Sequence, residues 1–385
     1  MDFQFLLPTK VVMRKGVRLE TGKFLHERNI NRVLLVTDKG IKNAGLMDDV
    51  YKSLTETGIS FEEFADVKPN PRDTDCDNAA AMIRGKQIDG ILAVGGGSVM
   101  DTAKAVSILH TNGGTVTDYE GAFTVKKPPL PIICIPTTAG TGSEVTFFSV
   151  ITDTKRKYKM SILDYQIGPA LALLDPDITA SLPASIAAST GMDALTHAIE
   201  AYTCRLANPI TDGLALHAIR LIRQNIAAAV LDKEEKAREN MLIASLIAGI
   251  AFGNSDIASV HCISEAIGGL YDTPHGVANA IFLPYVFKHN IVADIKRHAD
   301  VGYALGVDPL LSPEEAAKAA VEVLFELSEK LSIPKFYEID RVNPNDFPML
   351  AENSKKNISD PSNAKEMTVE DYLAILREAY EDRRP

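Results

Sequence analysis

The first half of the chain contains four short runs of β-branched and other apolar residues, separated by helical or turn-rich segments. The runs are Val33–Thr37, Ile59–Phe64, Gly90–Val94 and Pro131–Pro136. Continuous apolar runs, unlike alternating ones, are typical of strands that are buried on both faces of a parallel sheet. We therefore predict an α/β layer that extends to about Leu174.

The second half has a different pattern, because strand-like runs disappear after Ser181 and long segments rich in Ala, Leu and Ile take their place. These segments are Ser185–Tyr202, Pro209–Val230, Glu234–Gly249 and Pro313–Leu331. Their apolar spacing is that of amphipathic helices, so the second half is predicted to be all-helical. Two prolines and the change of period place the boundary between Asp175 and Pro183, which gives domains of residues 1–180 and 181–385.

Bulk properties agree with two domains and exclude several classes of partner. A chain of 385 residues exceeds the range in which one core usually grows. The formal net charge of −11 provides no field that would attract nucleic acid or anionic lipid, so neither partner is expected.

Compartment signals in the sequence are consistent with a reduced, cytoplasmic protein. The four cysteines form no C-x-x-C pair, and the N-terminus has no basic region typical of a secretory signal. The longest strongly apolar helical stretch, Met241–Phe252, is shorter than the roughly 20 residues that a bilayer requires.

The apolar run that begins at Gly90 leads into three glycines and Ser98, which opens a predicted helix. Asp101, three residues after Ser98, completes an S-x-x-D capping box. Glycines let a phosphate approach the backbone, and the positive end of a helix favours an anion. The turn therefore predicts a pyrophosphate site, although an ordinary strand-to-helix turn without a ligand would have the same pattern.

Two further features lie at the predicted carboxyl ends of strands, where open α/β sheets bind ligands. The loop Pro136–Glu144 contains three threonines, two glycines and a serine. Asp38 ends the first apolar run, where a carboxylate accepts hydrogen bonds from ribose hydroxyls and repels a 2′-phosphate, which favours NAD over NADP. The alternative is that Asp38 only caps the helix that begins near Lys39.

A candidate metal site is formed by Asp193, His197, His261 and His275. Asp193 and His197 are four residues apart in a helical pattern and therefore project from one face. Three imidazoles and one carboxylate suit Fe(II), Zn(II), Ni(II) or Co(II), whereas Mg²⁺ and Ca²⁺ prefer oxygen ligands. Beside a nicotinamide, such an ion supports hydride transfer between an alcohol and an aldehyde. A histidine taken alone is more often an ordinary core or surface residue.

Four segments, in this order, carry a resemblance to a known family. They are Gly95–Asp101, Pro136–Glu144, Gly191–Tyr202 and Pro274–Ala280. The chain resembles the iron-containing (group III) alcohol dehydrogenases, nearest the branch of 1,3-propanediol dehydrogenase and lactaldehyde reductase. The likeness extends from about Thr37 to Pro284.

The resemblance implies an architecture like that of dehydroquinate synthase, in which an α/β NAD-binding domain precedes an all-α metal-binding domain and catalysis takes place in the cleft between them. It implies one divalent metal, Fe(II) before Zn(II), Ni(II) or Co(II), with the ligands Asp193, His197, His261 and His275. A homodimer or a larger homo-oligomer is also implied. The residues implied to contact NAD or to lie near it are Asp38, Asn70, Gly96, Gly97, Ser98, Thr137, Thr138 and Lys159.

The sequence departs from the family pattern at Glu265, where relatives usually carry a second histidine four residues after the one that matches His261. If this stretch is helical, Glu265 lies on the face of His261 and acts as a catalytic residue near the metal or the nicotinamide. The alternative is a carboxylate that points into solvent or a salt bridge. Phe147 and Phe148 also stand where diol-handling relatives tend to carry polar groups.

These features predict a metal-dependent, NAD-dependent enzyme that interconverts a small primary alcohol or diol and its aldehyde. A second hypothesis is a metal- and NAD-dependent lyase of the dehydroquinate synthase type, although the helical half lacks an evident basic cluster for a phosphorylated, carboxylated substrate. A third hypothesis, suggested only by Glu265, is a catalytically weak binding protein.

Overall fold

A computed structural model describes residues 2–384 of the chain. These residues form two compact units. The α/β unit consists of Leu7–Thr138 and Gly142–Leu182, and the helical unit consists of Ala139–Thr141 with residues 2–6 and 183–384.

The α/β unit contains a six-stranded sheet in the order β1-β9-β6-β4-β2-β3, in which every neighbouring pair is parallel. A smaller sheet has the order β5-β8-β7. The strands of both sheets are β1 Lys10–Met13, β2 Arg32–Val36, β3 Ser60–Phe64, β4 Gly90–Gly95, β5 Gly121–Ala122, β6 Ile132–Pro136, β7 Phe148–Asp153, β8 Tyr158–Leu163 and β9 Leu171–Leu174.

The central strands of the large sheet are buried on both faces, as their continuous apolar runs predict. Along β2, Val33 and Leu35 belong to one hydrophobic core, whereas Leu34 and Val36 belong to another. Strands β4 and β6 alternate in the same way between the two cores. Each aliphatic side chain buried in this way stabilises the fold by about 1.5–3 kcal/mol relative to exposure.

The prediction of a strand buried on both faces is wrong for the run Ile59–Phe64. The strand β3 exists, but it lies at the end of the sheet, and Ser60 and Phe61 are exposed. An edge strand has only one neighbouring strand, so its side chains need not all be apolar. The small sheet was not predicted, because its strand β7 alternates between buried and half-buried residues and includes Ser149 and Thr152.

Helices of the α/β unit are α1 Thr21–His26, α2 Lys39–Asn43, α3 Asp48–Thr57, α4 Asp73–Met82 and α5 Gly97–Asn112. The helical unit contains α6 Ala184–Thr203, α7 Pro209–Val230, α8 Glu235–Gly253, α9 Ser259–Tyr271, α10 His275–Asn290, α11 Ile295–Ala304, α12 Pro313–Lys330, α13 Phe347–Lys355 and α14 Val369–Glu381. Within the described residues the second half has no strand, in agreement with the predicted helical character. Among residues 2–384, none of the helices has both the length and the apolar character that a membrane span requires.

The capping box predicted for Ser98 and Asp101 is wrong. Helix α5 begins at Gly97, and no side chain caps its first turn. The Asp101 carboxylate instead accepts hydrogen bonds from the Ser143 hydroxyl at 2.9 Å and from the Val150 backbone at 3.2 Å. Lys104, which is fully buried, also donates to Ser143 at 2.8 Å. These bonds attach the loop after β6 and strand β7 to helix α5.

All four cysteines are buried and form no disulfide. Cys76 and Cys134 lie in the α/β unit, and Cys204 and Cys262 lie in the helical unit. Burial raises the pKa of each thiol above its ordinary value, and that of Cys204 to about 11.

Candidate functional site

Four side chains of the helical unit form a compact group, the ligand cluster, which consists of Asp193, His197, His261 and His275. Asp193 and His197 lie one turn apart on α6, His261 lies on α9, and His275 is the first residue of α10. One potential ligand atom from each residue lies within 4.8 Å of those from the other three. The helices thus bring together residues that are up to 82 positions apart in the sequence.

A glycine lets the start of α10 approach α6 closely. A Cβ atom built on Gly276 would lie 2.6 Å from the backbone oxygen of Ser189 and 3.3 Å from the Asp193 Cβ. The first of these distances is shorter than real Cβ contacts allow, and its partner is rigid backbone. Gly276 is therefore required if His275 is to stand next to Asp193.

His197 is in a state suited to metal binding. Burial lowers the pKa of His197 to about 4, so its imidazole is neutral at physiological pH. Its ring stacks on Phe252 at a centroid distance of 4.3 Å. The Nδ1 atom is buried, has no hydrogen-bond partner and lies 4.0 Å from the Asp193 carboxylate. A buried polar atom without a partner costs about 1–3 kcal/mol, and a coordinated ion would remove this cost.

Glu200, which the sequence interpretation did not assign, holds His261 in place. Its carboxylate accepts a bond from His261 Nδ1 at 2.5 Å and from the backbone N–H groups of Ala258 at 2.8 Å and Val260 at 2.7 Å. Burial raises the pKa of Glu200 to about 7, while the backbone hydrogen bonds oppose the rise. A carboxylate on one imidazole nitrogen orients the other nitrogen toward a metal. The signal in the sequence is an acid inside an apolar helix, three residues after His197.

Asn279 is a second residue that the sequence interpretation did not assign to the site. It is fully buried on α10, one turn after His275. Its side-chain nitrogen Nδ2 lies 2.6 Å from Asp193 Oδ1, 3.0 Å from His261 Nε2 and 3.2 Å from His275 Nε2. Asn279 therefore contacts three of the four members of the ligand cluster.

Glu265 lies on helix α9, one turn after His261, and is buried with 4% of its surface exposed. The alternative of a carboxylate that points into solvent is thereby excluded. Its carboxylate accepts a hydrogen bond from the Asn357 amide at 2.6 Å. Glu265 is not a member of the metal-ligating group found among the described residues.

The glycine turn after β4 has little room for additional Cβ atoms. A Cβ on Gly95 would lie 2.5 Å from the Val99 side chain, and a Cβ on Gly96 would lie 3.3 Å from Thr138 Oγ1. Gly97 and Ser98 form the first turn of α5, where backbone N–H groups have no side-chain cap. Such an uncapped helix start attracts a phosphate.

Three other residues predicted to contact NAD have definite environments in the α/β unit. Thr137, at the carboxyl end of β6, has a buried hydroxyl without a hydrogen-bond partner, which fits a polar ligand at this edge. Lys159 Nζ donates to Asn70 Oδ1 at 2.7 Å, and both residues are buried.

Asp38 caps α2, because its carboxylate accepts a hydrogen bond from the Ile41 backbone at 2.9 Å. The cap uses Oδ1, so this contact does not exclude a ribose contact at the same carboxylate. Phe147 is 1% exposed and packs edge-on against Tyr165 within the α/β unit, which makes it a core residue.

Comparisons with known proteins give a consistent result along the chain. The model for iron-containing alcohol dehydrogenase matches residues 8–176, and the model for the C-terminal part of the Fe-containing alcohol dehydrogenase family matches residues 187–380. The chain is 41% identical to the 1,3-propanediol dehydrogenase of Klebsiella pneumoniae, over 98% of this chain and 99% of the relative. It is 37% identical to the NAD-dependent methanol dehydrogenase of Bacillus methanolicus, over 97% of this chain and 99% of the relative.

A solved structure of a 1,3-propanediol oxidoreductase superimposes on this chain with a TM-score of 0.94 and 39% sequence identity. The match covers 98% of this chain and 100% of that structure. The predicted resemblance and the predicted fold class are therefore confirmed.

Proposed function

Because this chain belongs to the iron-containing alcohol dehydrogenase family, and is an enzyme that interconverts alcohols and carbonyl compounds, we propose that its substrates are small primary alcohols or diols and their aldehydes. We further propose that one divalent metal ion is held by the ligand cluster and that NAD is the cofactor. The observation that carries the proposal is the convergence of one carboxylate and three imidazoles within 4.8 Å.

A divalent ion in the ligand cluster would lower the pKa of an alcohol hydroxyl, and NAD would accept the hydride. The protein supplies the arrangement of the donors. Asp193 contributes the single negative charge of the ligand cluster, and His197 is neutral because it is buried. Glu200 accepts a hydrogen bond from His261 Nδ1, which would leave the Nε2 lone pair of His261 available to the ion.

The proposed metal is Fe(II), with Zn(II), Ni(II) or Co(II) as the ions that the same donors would also accept. Three imidazoles and one carboxylate exclude a preference for Mg²⁺ or Ca²⁺. Because Zn(II) binds such sites more tightly than Fe(II), the ion that fills the ligand cluster would depend on the supply in the cell.

The proposed NAD site follows the glycine turn and the adjoining strand ends of the α/β unit. The uncapped start of α5 at Gly96–Ser98 would bind the pyrophosphate. Thr137 offers a buried hydroxyl without a partner, and Asp38 would accept bonds from ribose hydroxyls. Thr138, Asn70 and Lys159 complete the proposed contacts.

Glu265 is retained as a proposed catalytic residue, on the basis of its burial one turn after His261. The proposed role is that of a general acid or base, which a carboxyl group within hydrogen-bond reach of the substrate can perform. Its hydrogen bond with Asn357 fixes the carboxyl group rather than leaving it mobile.

We also propose that the protein is located in a reducing compartment, the cytoplasm. We further propose that it forms a homo-oligomer, with the homodimer as the first candidate. The support for the compartment is that four buried thiols form no disulfide. The oligomeric state rests on the family resemblance, and light scattering of the purified protein measures it.

The experiment that tests the proposed function is an anaerobic activity screen of alcohols and aldehydes with NAD(H). Protein stripped of metal is reconstituted separately with Fe(II), Zn(II), Ni(II) and Co(II), and the stripped protein serves as the control. Turnover of short primary alcohols or diols by at least one metallated form is expected. Turnover that is equal with and without metal would refute the role of the ligand cluster.

A further inference from the structure

Asn279 occupies an unusual position, because its amide contacts ligand atoms of three different helices. Its Nδ2 atom lies within hydrogen-bond distance of Asp193 on α6, His261 on α9 and His275 on α10. The residue is 0% exposed, so no bulk water competes for these contacts.

The hydrogen bonding of this amide is unbalanced. A primary amide has two N–H donors and an oxygen with two lone pairs. Here the nitrogen lies within hydrogen-bond distance of three ligand atoms, more than its two hydrogens can serve, while Oδ1 is buried without any partner. A buried carbonyl oxygen without a partner is rare in proteins and requires an explanation.

The explanation that we favour rests on the shape of the amide. A half-turn about its last bond exchanges Nδ2 and Oδ1 without changing the volume that the side chain fills. When no cation is bound, the Asp193 carboxylate and any imidazole nitrogen with an available lone pair favour an amide nitrogen that points toward them. A cation that takes those same lone pairs repels N–H groups and attracts the amide oxygen.

We propose that Asn279 is an additional donor of the metal site, and that its amide oxygen faces the bound cation beside Asp193, His261 and His275. The inference rests on the proposed function, because it requires that the ligand cluster binds a metal. The amide adds an oxygen donor without adding charge, so the ligand cluster keeps a single carboxylate.

The first test measures Co(II) binding to metal-free protein by titration, followed through the visible d–d absorption. In Asn279→Ala the dissociation constant for Co(II) is expected to rise about 10- to 100-fold, the range found when groups that support metal ligands are removed. The d–d absorption is also expected to become more intense, because Co(II) loses one donor. Asn290→Ala is the matched control, since Asn290 is a buried amide on the same helix and bonds Asn363 instead.

Three outcomes distinguish a failure of the inference from a failure of the proposed function. A raised dissociation constant and a changed spectrum in Asn279→Ala, with wild-type behaviour in Asn290→Ala, support the inference. Wild-type affinity and spectrum in Asn279→Ala overturn the inference and leave the proposed function intact. A wild-type protein that binds no Co(II) overturns both.

A second variant keeps the inference falsifiable if removal of the amide impairs folding. Asn279→Asp has the same shape but presents only oxygens, one of which would face Asp193 Oδ1. We expect metal-free Asn279→Asp to melt below the wild type, and Co(II) to raise its melting temperature by more than it raises that of the wild type. If Asn279 has only a structural role, the melting temperature of Asn279→Asp should lie below that of the wild type by the same amount with and without Co(II). This result would overturn the inference.

Discussion

The ligand cluster of the helical unit and the glycine turn of the α/β unit are built from different parts of the chain. The ligand cluster consists of side chains that three buried helices bring together. The turn Gly95–Ser98 consists of backbone at the end of one strand and the start of the next helix. A binding site made of side chains loses affinity when a side-chain atom is removed. A binding site made of backbone loses affinity when an atom is added, such as a Cβ on Gly95, for which there is no room.

The largest expected effect is a loss of function in the ligand cluster that leaves the glycine turn unaffected. We expect His275→Ala to lose the bound metal and all measurable turnover, because it removes one of four donors, while NADH affinity stays within about twofold since the glycine turn is unchanged. Elemental analysis measures the metal, and NADH fluorescence titration measures the cofactor. His217→Ala, at an exposed histidine on α7, is the control. Stoichiometric metal in His275→Ala would show that the ligand set is wrong.

A smaller effect is expected at the cofactor site. Asp38→Gly should relax the preference for NAD over NADP by roughly 5- to 150-fold, because repulsion of a 2′-phosphate by one carboxylate is worth on the order of 1–3 kcal/mol. The ratio of kcat/KM values for the two cofactors measures the effect. Asp38→Asn keeps an acceptor for the Ile41 backbone and removes only the charge. A ratio that stays constant in both variants would leave Asp38 as a helix cap.

Glu265 tests whether the helical unit contributes more than metal ligands. Glu265→Gln preserves an acceptor for Asn357 but cannot ionise, so we expect kcat to fall at least tenfold, or about 1.4 kcal/mol of barrier, and one ionisation to disappear from the pH–rate profile. Asn357→Ala removes the same hydrogen bond and keeps the carboxylate. An unchanged kcat in Glu265→Gln together with a reduced kcat in Asn357→Ala would indicate that Glu265 acts only through its bond with Asn357.

The smallest effect on turnover is expected at Glu144, at the end of the loop that follows β6. Burial raises the pKa of Glu144 to about 7, although Lys104 opposes the rise. The folded protein therefore holds this proton more tightly than the unfolded chain, and stability declines as the pH rises from about 4.5 to about 7.

Glu144→Gln removes this dependence, so its melting temperature should exceed that of the wild type by more at pH 8 than at pH 5. The corresponding difference in the free energy of unfolding is on the order of 1–3 kcal/mol. Calorimetry at the two pH values measures it, and Glu326→Gln at an exposed site is the control. A difference between variant and wild type that is the same at both pH values would contradict the assignment.

The comparison of the two regions also explains what could be predicted from the sequence. The strands β2, β4 and β6 were predicted nearly to the residue, because burial on both faces requires continuous apolar runs. The glycine turn was located because its residues are adjacent in the chain. The small sheet was missed, since half-buried strands of mixed composition have no such pattern.

Contacts between distant segments were harder to predict. The grouping of Asp193 with His261 and His275 was a hypothesis from residue chemistry that family resemblance strengthened, because no local pattern relates α6 to α9 and α10. Glu200 and Asn279 were missed for the same reason, since most of their partners lie 18 to 86 positions away. The capping box at Ser98 failed because Asp101 contacts a loop more than 40 positions away.

The buried cysteines have a practical consequence for following the opening of each unit. A thiol with a raised pKa and almost no exposed surface reacts with an alkylating reagent mainly after the surrounding structure opens. Cys76 and Cys134 would then report on the α/β unit, and Cys204 and Cys262 on the helical unit. Timed alkylation followed by peptide mass spectrometry would therefore measure the opening rate of each unit separately, with two native thiols as reporters in each.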